Sequence, residues 1–339
     1  MKFGVLKDIK ADEYRVIATP AEVAMIARTG AEVWVQKDAG KGAGFSDEAY
    51  AAEGAKIVDT MEEIYANCDF VAKVKELEER EFDLIRENQI IFTCIHPAAH
   101  PAEVDALLAH KAVSFAAEDS HRYGSPNCEA AGKIGAMMGL NSLLSCNGGK
   151  GKFVNGFGGA PGVHALVIGA GTVGRACVGV LQQLGARVTV MDVNIGVLRM
   201  IGQQFHESVD TMISNHYNLT KILPTVDVVY NCVRWPKDAK EFMIDRKMVA
   251  SMEKGSVIVD ISNDYGAIET FHETTHSHPI YVEEGVVHYC VSNIPAACGQ
   301  STSIAYAASV LPHFLSIIKN GVAAACAKDA MIGELPLTR

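Results

Sequence analysis

Short apolar runs alternate along the chain with segments of helical periodicity, and the runs fall into two series. In the first third of the chain, strands are expected at residues 3–6, 32–36, 70–74, 90–93 and 113–117. Segments of helical character lie between them, the first at residues 20–28, where Pro20 occupies an N-terminal position. Strands that alternate with helices predict an α/β fold with a largely parallel sheet.

The second series begins near residue 164 and follows two segments of different composition. A helix of small and apolar residues is expected at 127–145, and a glycine-rich loop at 147–162. Strands are then expected at residues 165–168, 187–191, 228–232, 256–261 and 286–291. A long helix is expected over residues 301–320. Two series of strands in a chain of 339 residues predict two domains.

Composition narrows the classes of function without selecting one. Hydrophobic residues make up 49% and charged residues 21% of the chain, which is typical of a globular protein. The net charge of −10 argues against nucleic acid or an anionic membrane surface as a partner, but it allows a small anionic substrate. No secretory signal is visible, and no run approaches the roughly 18 apolar residues of a membrane span. The nine cysteines include no Cys-x-x-Cys pair, which favours reduced thiols and a cytoplasmic location.

The strongest local pattern is a strand–turn–helix–strand unit at about residues 164–192. An apolar strand leads directly into a Gly-x-Gly-x-x-Gly loop, a helix with one apolar face follows, and the next strand ends in an aspartate. This order of elements is typical of a unit that binds a dinucleotide. The residues assigned to the cofactor on this basis are Gly169, Gly171, Thr172, Val173, Gly174 and Asp192.

Each part of this unit has an expected physical role. Gly169 allows a tight turn, Gly171 lets the backbone approach the pyrophosphate, and Gly174 permits close packing of helix on strand. The helix N-terminus offers N–H groups and a positive dipole end to the phosphates. Asp192 is expected to accept hydrogen bonds from the adenosine ribose and to repel a 2′-phosphate. The predicted cofactor is therefore NAD rather than NADP.

Four polar residues outside this unit stand where chemistry is expected. Arg15 follows the first strand, while Lys75 and His96 stand at or just beyond the ends of two later strands. Ligands of open parallel sheets bind beyond the carboxyl ends of the strands. A guanidinium, an ammonium and an imidazole would suit an α-keto acid, because the first two bind and polarise it and the third exchanges a proton. Asp264 follows a strand of the second series and could pair with the imidazole or orient water or ammonia, although alone it could equally cap a turn.

One string typical of a metal site is present, at residues 272–276. These residues read HETTH, the HExxH pattern of zinc peptidases. Two adjacent threonines and the nearby Pro279 disfavour the regular helix that this chemistry requires. No metal site is therefore predicted.

Several segments, in order along nearly the whole chain, resemble the alanine dehydrogenase and transhydrogenase family. They are MKFGVLKDIKADEYRVIATP at 1–20, AGKGAGFSDEAY at 39–50, VAKVKE at 71–76, SNHYN at 214–218, GSVIVDISNDYGAIET at 255–270 and HYCVSNIPAACGQSTS at 288–303. Within the family, the match is closer to the alanine dehydrogenases than to the transhydrogenase subunit.

The resemblance implies a fold of two Rossmann-like parallel-sheet domains. An NAD-binding domain (127–295) would be inserted into a discontinuous catalytic domain (1–126 and 296–339). It also implies a homo-oligomer, a hexamer or a dimer, and NAD-dependent reversible oxidative deamination of L-alanine to pyruvate and ammonia.

Site residues follow from the resemblance position by position. Arg15 and Lys75 match substrate-binding cations, and His96 and Asp264 match the catalytic residues. The family's cofactor contacts match Ser214, Val233, Ile261, Val291, Asn293 and Ile294. Two further positions expected near the cofactor depart from the family pattern, since Cys128 replaces a serine and Arg234 replaces an aliphatic residue.

Two other classes of function stay open at this point. One is a related amino-acid or opine-type dehydrogenase that uses pyruvate with another amine, which departures such as Arg234 and Gln300 suggest. The other is a non-catalytic NAD-binding or transhydrogenase-like protein. The presence of both His96 and Asp264 argues against it, because binding alone needs neither.

Overall fold

The computed structural model describes residues 1–97, 99–121, 124–236 and 238–333. The strands are β1 (Lys2–Val5), β2 (Glu32–Gln36), β3 (Lys56–Val58), β4 (Phe70–Ala72), β5 (Ile90–Thr93), β6 (Val113–Ala116), β7 (His164–Ile168), β8 (Arg187–Asp192), β9 (Asp210–Ile213), β10 (Val228–Asn231), β11 (Val257–Asp260), β12 (Ile280–Glu283) and β13 (Val286–Tyr289). The helices are α1 (Pro20–Ala27), α2 (Asp47–Ala52), α3 (Met61–Asn67), α4 (Glu79–Phe82), α5 (Pro101–Ala109), α6 (Pro126–Ser142), α7 (Thr172–Gln183), α8 (Ile195–Gln204), α9 (His216–Ile222), α10 (Arg246–Ala250), α11 (Gly299–Asn320), α12 (Val322–Lys328) and α13 (Ala330–Gly333).

The chain forms two compact units. The first consists of Met1–Asn127 and the described residues from Ala296 onward, and the second consists of Cys128–Pro295. The second unit is therefore inserted in the sequence between the two segments of the first.

The first unit contains a six-stranded sheet in the order β3-β2-β1-β4-β5-β6, and every neighbouring pair in it is parallel. The strands expected in the first third of the chain are all present, which confirms the α/β interpretation. Strand β3 was not expected, because its three residues are too few to show a pattern. Since all six strands run the same way, their carboxyl ends share one edge of the sheet.

Helix α11 completes the core of this unit. The Phe314 ring packs against the rings of Phe3, Phe70 and Phe92, with centroid distances of 5.1, 5.4 and 5.0 Å. By length and composition alone, the helical segment Ile294–Asn320 could cross a membrane, but half of its most apolar stretch is buried inside the protein. Burial of this kind is what a core helix requires.

The second unit contains a seven-stranded sheet in the order β12-β13-β11-β10-β7-β8-β9. Its strands are parallel except for β12, which runs antiparallel to β13. The unexpected strands β9 and β12 are the two edge strands, and their residues are short of full burial, unlike those of the central strands. In the register of the sheet, Ile168 pairs with both Met191 and Asn231, so β7, β8 and β10 end together.

Helix α6 approaches the rest of the second unit closely because it carries glycines. A Cβ atom on Gly132 would lie 2.1 Å from the carbonyl oxygen of Val173, in the first turn of α7. A Cβ atom on Gly139 would lie 2.5 Å from the hydroxyl of Tyr230, which itself donates to the Ala136 carbonyl at 2.9 Å. The small residues of this segment are therefore required for packing.

Candidate active site

The carboxyl edge of the first sheet carries three of the predicted polar residues. Arg15 lies on the loop after β1, Lys75 stands three residues beyond β4, and His96 stands three residues beyond β5. Strands β1, β4 and β5 are neighbours in the sheet, so their carboxyl ends lie side by side. The structure thus brings these three residues to one edge of one unit.

Arg15 is held in a buried ion pair. The residue is 3% exposed, and its Nε and Nη2 donate to Oε1 and Oε2 of Glu13 at 2.7 and 2.5 Å. Its Nη1 donates to Oδ1 of Asn127 at 2.9 Å. Burial lowers the pKa of Arg15, but the Glu13 carboxylate outweighs burial and holds that pKa above its usual value. The guanidinium is therefore a permanent cation whose orientation is fixed by two side chains.

A small cavity adjoins this ion pair. It has a volume of about 260 Å³, and its lining includes Arg15, Glu13, Asp8 and Lys41. Within this lining the charge of Arg15 is paired with Glu13, and the cavity lining does not include Lys75 or His96. Other surface cavities lie elsewhere, among them one of about 560 Å³ lined by Arg187 and other residues of the second unit.

Lys75 is also a paired cation. Its Nζ lies 3.2 Å from Oε2 of Glu76, and its backbone N–H donates to Oδ2 of Asp8 at 2.9 Å. Burial and the charge of Arg15 lower the pKa of Lys75, whereas the charge of Glu76 raises it. The net effect is a pKa above the usual value of lysine. Burial raises the pKa of Glu76, but Lys75 and Lys10 bring it down to about 2. Both charges of this pair therefore persist at neutral pH.

His96 differs from the two cations in being partly open to solvent. Its side chain is 43% exposed, and its φ angle of +49° lies in the left-handed region. The backbone N–H groups of His96 and Ile95 donate to Oε1 and Oε2 of Glu118 at 2.6 and 3.0 Å. The ring atom Nδ1 lies 3.7 Å from Oε1 of the same carboxylate. One carboxylate therefore contacts both the backbone and the ring of the candidate catalytic histidine.

Asp264 belongs to the second unit. It lies in the short 3-10 turn Asn263–Tyr265, which follows β11, and its side chain lies outside the described residues. The neighbouring Asn263 fixes this turn by donating from Nδ2 to the Cys290 carbonyl at 3.1 Å. The role expected for the Asp264 carboxylate stays a prediction.

Glycine is favoured at the three positions of the nucleotide loop for different structural reasons. Gly169 has a φ angle of +93°, which favours glycine. A Cβ atom on Gly174 would lie 1.8 Å from the carbonyl oxygen of Gly169, so the close approach of helix and loop requires glycine. A Cβ atom on Gly171 would meet no described atom within 4 Å. Gly171 is the N-cap of α7, and open space at a helix N-terminus is where a phosphate binds, so the loop fits a dinucleotide.

Asp192 ends β8 and is bonded to the same loop. Its Oδ2 accepts from the Ala170 N–H at 2.8 Å, and its Oδ1 accepts from the Asn194 N–H at 2.8 Å. A carboxylate can accept about four hydrogen bonds. The two backbone bonds are therefore compatible with further bonds from ribose hydroxyls.

The remaining predicted cofactor contacts follow the same edge of the second sheet. Each of four residues comes within two positions of a strand end, and these are Ser214 after β9, Val233 after β10, Ile261 after β11 and Val291 after β13. Asn293 and Ile294 come next in the chain and are buried. Thr172 and Val173 open α7, Arg234 is exposed, and Cys128 lies half-buried in the first turn of α6.

The HETTH string lies in irregular chain. His272 stacks on Tyr281 with ring centroids 3.8 Å apart, and the Nε2 atom of His276 lies 2.9 Å from the Asn293 carbonyl oxygen. Among the residues that the structure describes, no group of three His, Cys, Asp or Glu side chains is placed to hold a metal ion.

Sequence reasoning does not single out two carboxylates of this edge. Glu13 stands two residues before Arg15, and this short spacing between opposite charges is the available signal. Glu118 is separated from His96 by 22 positions and reaches it because β5 and β6 are adjacent in the sheet. No local pattern could have identified that contact.

Comparisons with known proteins cover almost the whole chain. The family model described as "Alanine dehydrogenase/PNT, N-terminal domain" matches residues 4–125, and that described as "Alanine dehydrogenase/PNT, C-terminal domain" matches residues 135–338. An alanine dehydrogenase of Geobacillus stearothermophilus is 37% identical over 337 residues, covering 96% of this chain and 90% of that one. An alanine dehydrogenase of Methanococcus maripaludis is 36% identical over 329 residues, covering 95% and 88%.

Solved structures agree with this similarity. An L-alanine dehydrogenase superposes with a TM-score of 0.92 at 30% identity, covering 99% of this chain and 94% of that one. A transhydrogenase from Sinorhizobium meliloti superposes with a TM-score of 0.84 at 18% identity, covering 100% and 99%, and shows a shared fold alone. The expectation of two Rossmann-like α/β domains is confirmed. Because both family models match and the relatives align over almost the entire length, this chain belongs to the alanine dehydrogenase/PNT family, whose members depend on pyridine nucleotides.

Proposed function

We propose that this chain catalyses the NAD-dependent, reversible oxidative deamination of L-alanine to pyruvate and ammonia. The observation that carries the proposal is the buried, oriented guanidinium of Arg15 beside Lys75 and His96 at one sheet edge, in a chain that also has a dinucleotide loop. The alanine dehydrogenases that align with nearly the whole chain support the same activity.

The two cations are assigned to the oxo acid. Arg15 binds the carboxylate of pyruvate, because a planar guanidinium matches a carboxylate in two hydrogen bonds. Lys75 polarises the carbonyl oxygen with a compact charge. Since Glu13 and Glu76 hold both cations in place, little reorganisation is needed when the substrate binds.

Proton transfer is assigned to the imidazole. His96 donates a proton toward the carbonyl oxygen during amination and accepts one in the reverse direction, as a group that titrates near neutral pH can. Asp264 is assigned to orient the imidazole and the incoming ammonia or water. Deamination consumes alanine, NAD⁺ and water and yields pyruvate, ammonium, NADH and a proton.

The glycine loop and Asp192 are assigned to the cofactor. The N-terminus of α7 would hold the pyrophosphate, and Asp192 would accept bonds from the adenosine ribose. The charge of Asp192 favours NAD over NADP, since a 2′-phosphate would meet a like charge. When bound, the nicotinamide supplies or accepts the hydride.

The cellular form is proposed as a cytoplasmic homo-oligomer, a hexamer or a dimer, with no nucleic acid or membrane partner. Cysteines such as Cys68, Cys94, Cys177 and Cys290 are buried thiols outside any disulfide, which suits a reducing compartment, and the net charge of −10 disfavours polyanions. Light scattering during size-exclusion chromatography measures the subunit number, and a monomer would contradict this part of the proposal.

The activity is tested by the oxidation of NADH with pyruvate and ammonium. We expect turnover with these substrates, and a much lower rate with NADPH. If the protein binds NADH but turns over no pyruvate with ammonium, the assignment is wrong. Parallel assays with lysine or ornithine in place of ammonium test the opine-type alternative. A His96→Ala variant that keeps NADH affinity and loses turnover would distinguish catalysis from binding alone.

A further inference from the structure

His96 has a backbone conformation that is uncommon for a non-glycine residue. Its φ angle is +49°, and a non-glycine residue in the left-handed region persists only where surrounding contacts hold it. The residue stands just beyond β5, at the carboxyl edge of the first sheet. The contacts that keep this conformation therefore determine where the imidazole points.

Glu118 supplies two of these contacts from the turn after the neighbouring strand, and the His96 carbonyl also accepts from the N–H groups of Ala99 and His100 at 2.8 and 3.2 Å. Glu118 lies in the short 3-10 turn Ala117–Asp119, which follows β6, and β6 is paired with β5. Its two carboxylate oxygens accept from the consecutive N–H groups of Ile95 and His96, at 3.0 and 2.6 Å. The Glu118 side chain is 14% exposed, so these bonds are largely protected from water.

The same carboxylate also faces the ring. Its Oε1 lies 3.7 Å from Nδ1 of His96, which is longer than a hydrogen bond but well within the range of charge interaction. Hydrogen bonds of catalytic groups are often long before the substrate binds. A negative charge on the Nδ1 side favours a proton on Nδ1 and leaves Nε2 as the atom that exchanges a proton with the substrate.

We propose that Glu118 is a positioning residue for His96, which holds the left-handed backbone through two N–H bonds and orients the imidazole through its charge at Nδ1. This inference rests on the proposed function for its catalytic consequence, although the contact between the two residues does not. In the sequence, Asp264 was the carboxylate expected to orient the imidazole. Glu118 adds one that belongs to the same unit as the histidine.

The described titratable groups near this strand end include Cys94, Tyr306, Lys75 and Arg15. Burial, and to a smaller extent the charge of Glu118, raise the pKa of the Cys94 thiol to about 12, so Cys94 stays neutral. Tyr306 from α11 bonds to Cys94 and stays neutral as well, because burial raises its pKa well above the usual value. The charges of Lys75 and Arg15 lower the pKa of Cys94, which places both cations near the same strand end.

The test replaces the charge and keeps the shape. In Glu118→Gln, we expect the pKa of His96 to fall by about one pH unit, because an anion beside the ring favours its charged form. The pKa is followed by nitrogen-15 NMR of the imidazole, with the signal assigned by its loss in His96→Asn. We expect kcat for pyruvate amination to fall on the order of tenfold or more, with the KM for pyruvate changed less, and the pH profile to shift in the same direction.

Glu63→Gln is the matched control. Glu63 also accepts from two consecutive N–H groups, those of Asp59 and Thr60, both at 3.1 Å, but it faces no imidazole among the described residues. We expect this variant to leave the His96 pKa and kcat unchanged. If Glu118→Gln does not fold, Glu118→Asp keeps the charge with a shorter reach, and a smaller shift in the same direction is expected.

Two results would overturn the inference. One is a His96 pKa that is the same in the wild type and in the folded Glu118 variant. The other is a loss of kcat with no change of the pH profile, which would indicate a merely structural role. The NMR titration requires no turnover, so it decides about Glu118 even if the wild type fails to aminate pyruvate and the proposed function is wrong.

Discussion

Replacing Gly171 by alanine separates the ligand-binding role of the nucleotide loop from its packing role. The φ and ψ angles of Gly171 are −70° and −162°, which an alanine adopts without strain, and an added Cβ would meet no described atom within 4 Å. The free energy of unfolding should therefore change by less than about 1 kcal/mol, a typical effect of alanine at an N-cap position. Affinity for NADH should fall, because the methyl group takes the space of the pyrophosphate. A poorly accommodated methyl costs about 2 kcal/mol, which is roughly thirtyfold in Kd.

Gly174→Ala, unlike Gly171→Ala, should lower the free energy of unfolding. Its Cβ would lie 1.8 Å from the Gly169 carbonyl oxygen, whereas a carbon–oxygen contact is normally about 3.3 Å or more. Helix α7 and the loop must separate by more than an ångström, at a cost at the upper end of the usual 1–3 kcal/mol for overpacking. Alanine gains back about 1 kcal/mol of helix propensity. The expected net loss of stability is about 2 kcal/mol.

Gly179→Ala in the same helix is the control for both variants. The nearest atom to its added Cβ is Cε1 of Phe205 at 4.0 Å, an ordinary contact. This variant should gain about 0.5–1 kcal/mol and bind NADH as the wild type does. Urea unfolding and calorimetric titration with NADH measure the two quantities. Unchanged affinity in Gly171→Ala, or a Gly174→Ala protein as stable as Gly179→Ala, would refute the reasoning.

Three further variants test the remaining charges. Asp192→Asn should weaken NADH binding about tenfold, because a charge-assisted hydrogen bond is lost, and should improve the affinity for NADPH relative to NADH. An unchanged ratio of the two Kd values would contradict the cofactor assignment. Arg15→Lys should raise the KM for pyruvate by on the order of tenfold to a hundredfold, because the bidentate geometry is lost. The exposed control Arg28→Lys should leave this KM unchanged. Equal KM values in the two variants would contradict the role of Arg15 in binding the carboxylate. Burial raises the pKa of Glu103 from 4.5 to about 8, so between these pH values the folded protein keeps a proton that the unfolded chain loses. The stability of the wild type should therefore fall as pH rises from 4.5 to 8. In urea unfolding, Glu103→Gln should match the wild type near pH 4 and exceed it by roughly 4 kcal/mol at pH 8, at about 1.4 kcal/mol per unit of pKa shift. A difference independent of pH would exclude this titration.

The strands that the sequence predicts are those buried on both faces. Strands such as β7 and β11 are continuous apolar runs, which parallel sheets with covered faces require. The edge strands β9 and β12 are not predicted, because four half-exposed residues give too short a pattern to distinguish a strand from a loop. Strand β3 is not predicted because a three-residue segment cannot show a period.

The candidate site divides in a similar way. Its nucleotide loop is local in the chain, so spacing alone predicts the loop, the helix and Asp192 together. Arg15, Lys75 and His96 were expected from their places at strand ends. Glu118 was not expected, because its contact with His96 depends on which strands are neighbours in the sheet. Local sequence patterns do not predict the order of strands.

Helix α11 also determines the order in which the molecule can fold during synthesis. The sheet that Phe314 covers is made from residues near the start of the chain, whereas the helix follows the whole second unit. On the ribosome, the second unit has all of its residues available before α11 has emerged. The apolar face of the first sheet stays uncovered until the residues of α11 have been synthesised.

A nascent chain that has emerged only to Pro295 therefore carries an unfinished N-terminal sheet beside a complete second unit. The first unit to be synthesised is thus the last to close. During that interval, the rings of Phe3, Phe70 and Phe92 lack the partner that covers them in the finished protein. Pausing of translation within the second unit would lengthen this exposure and favour aggregation.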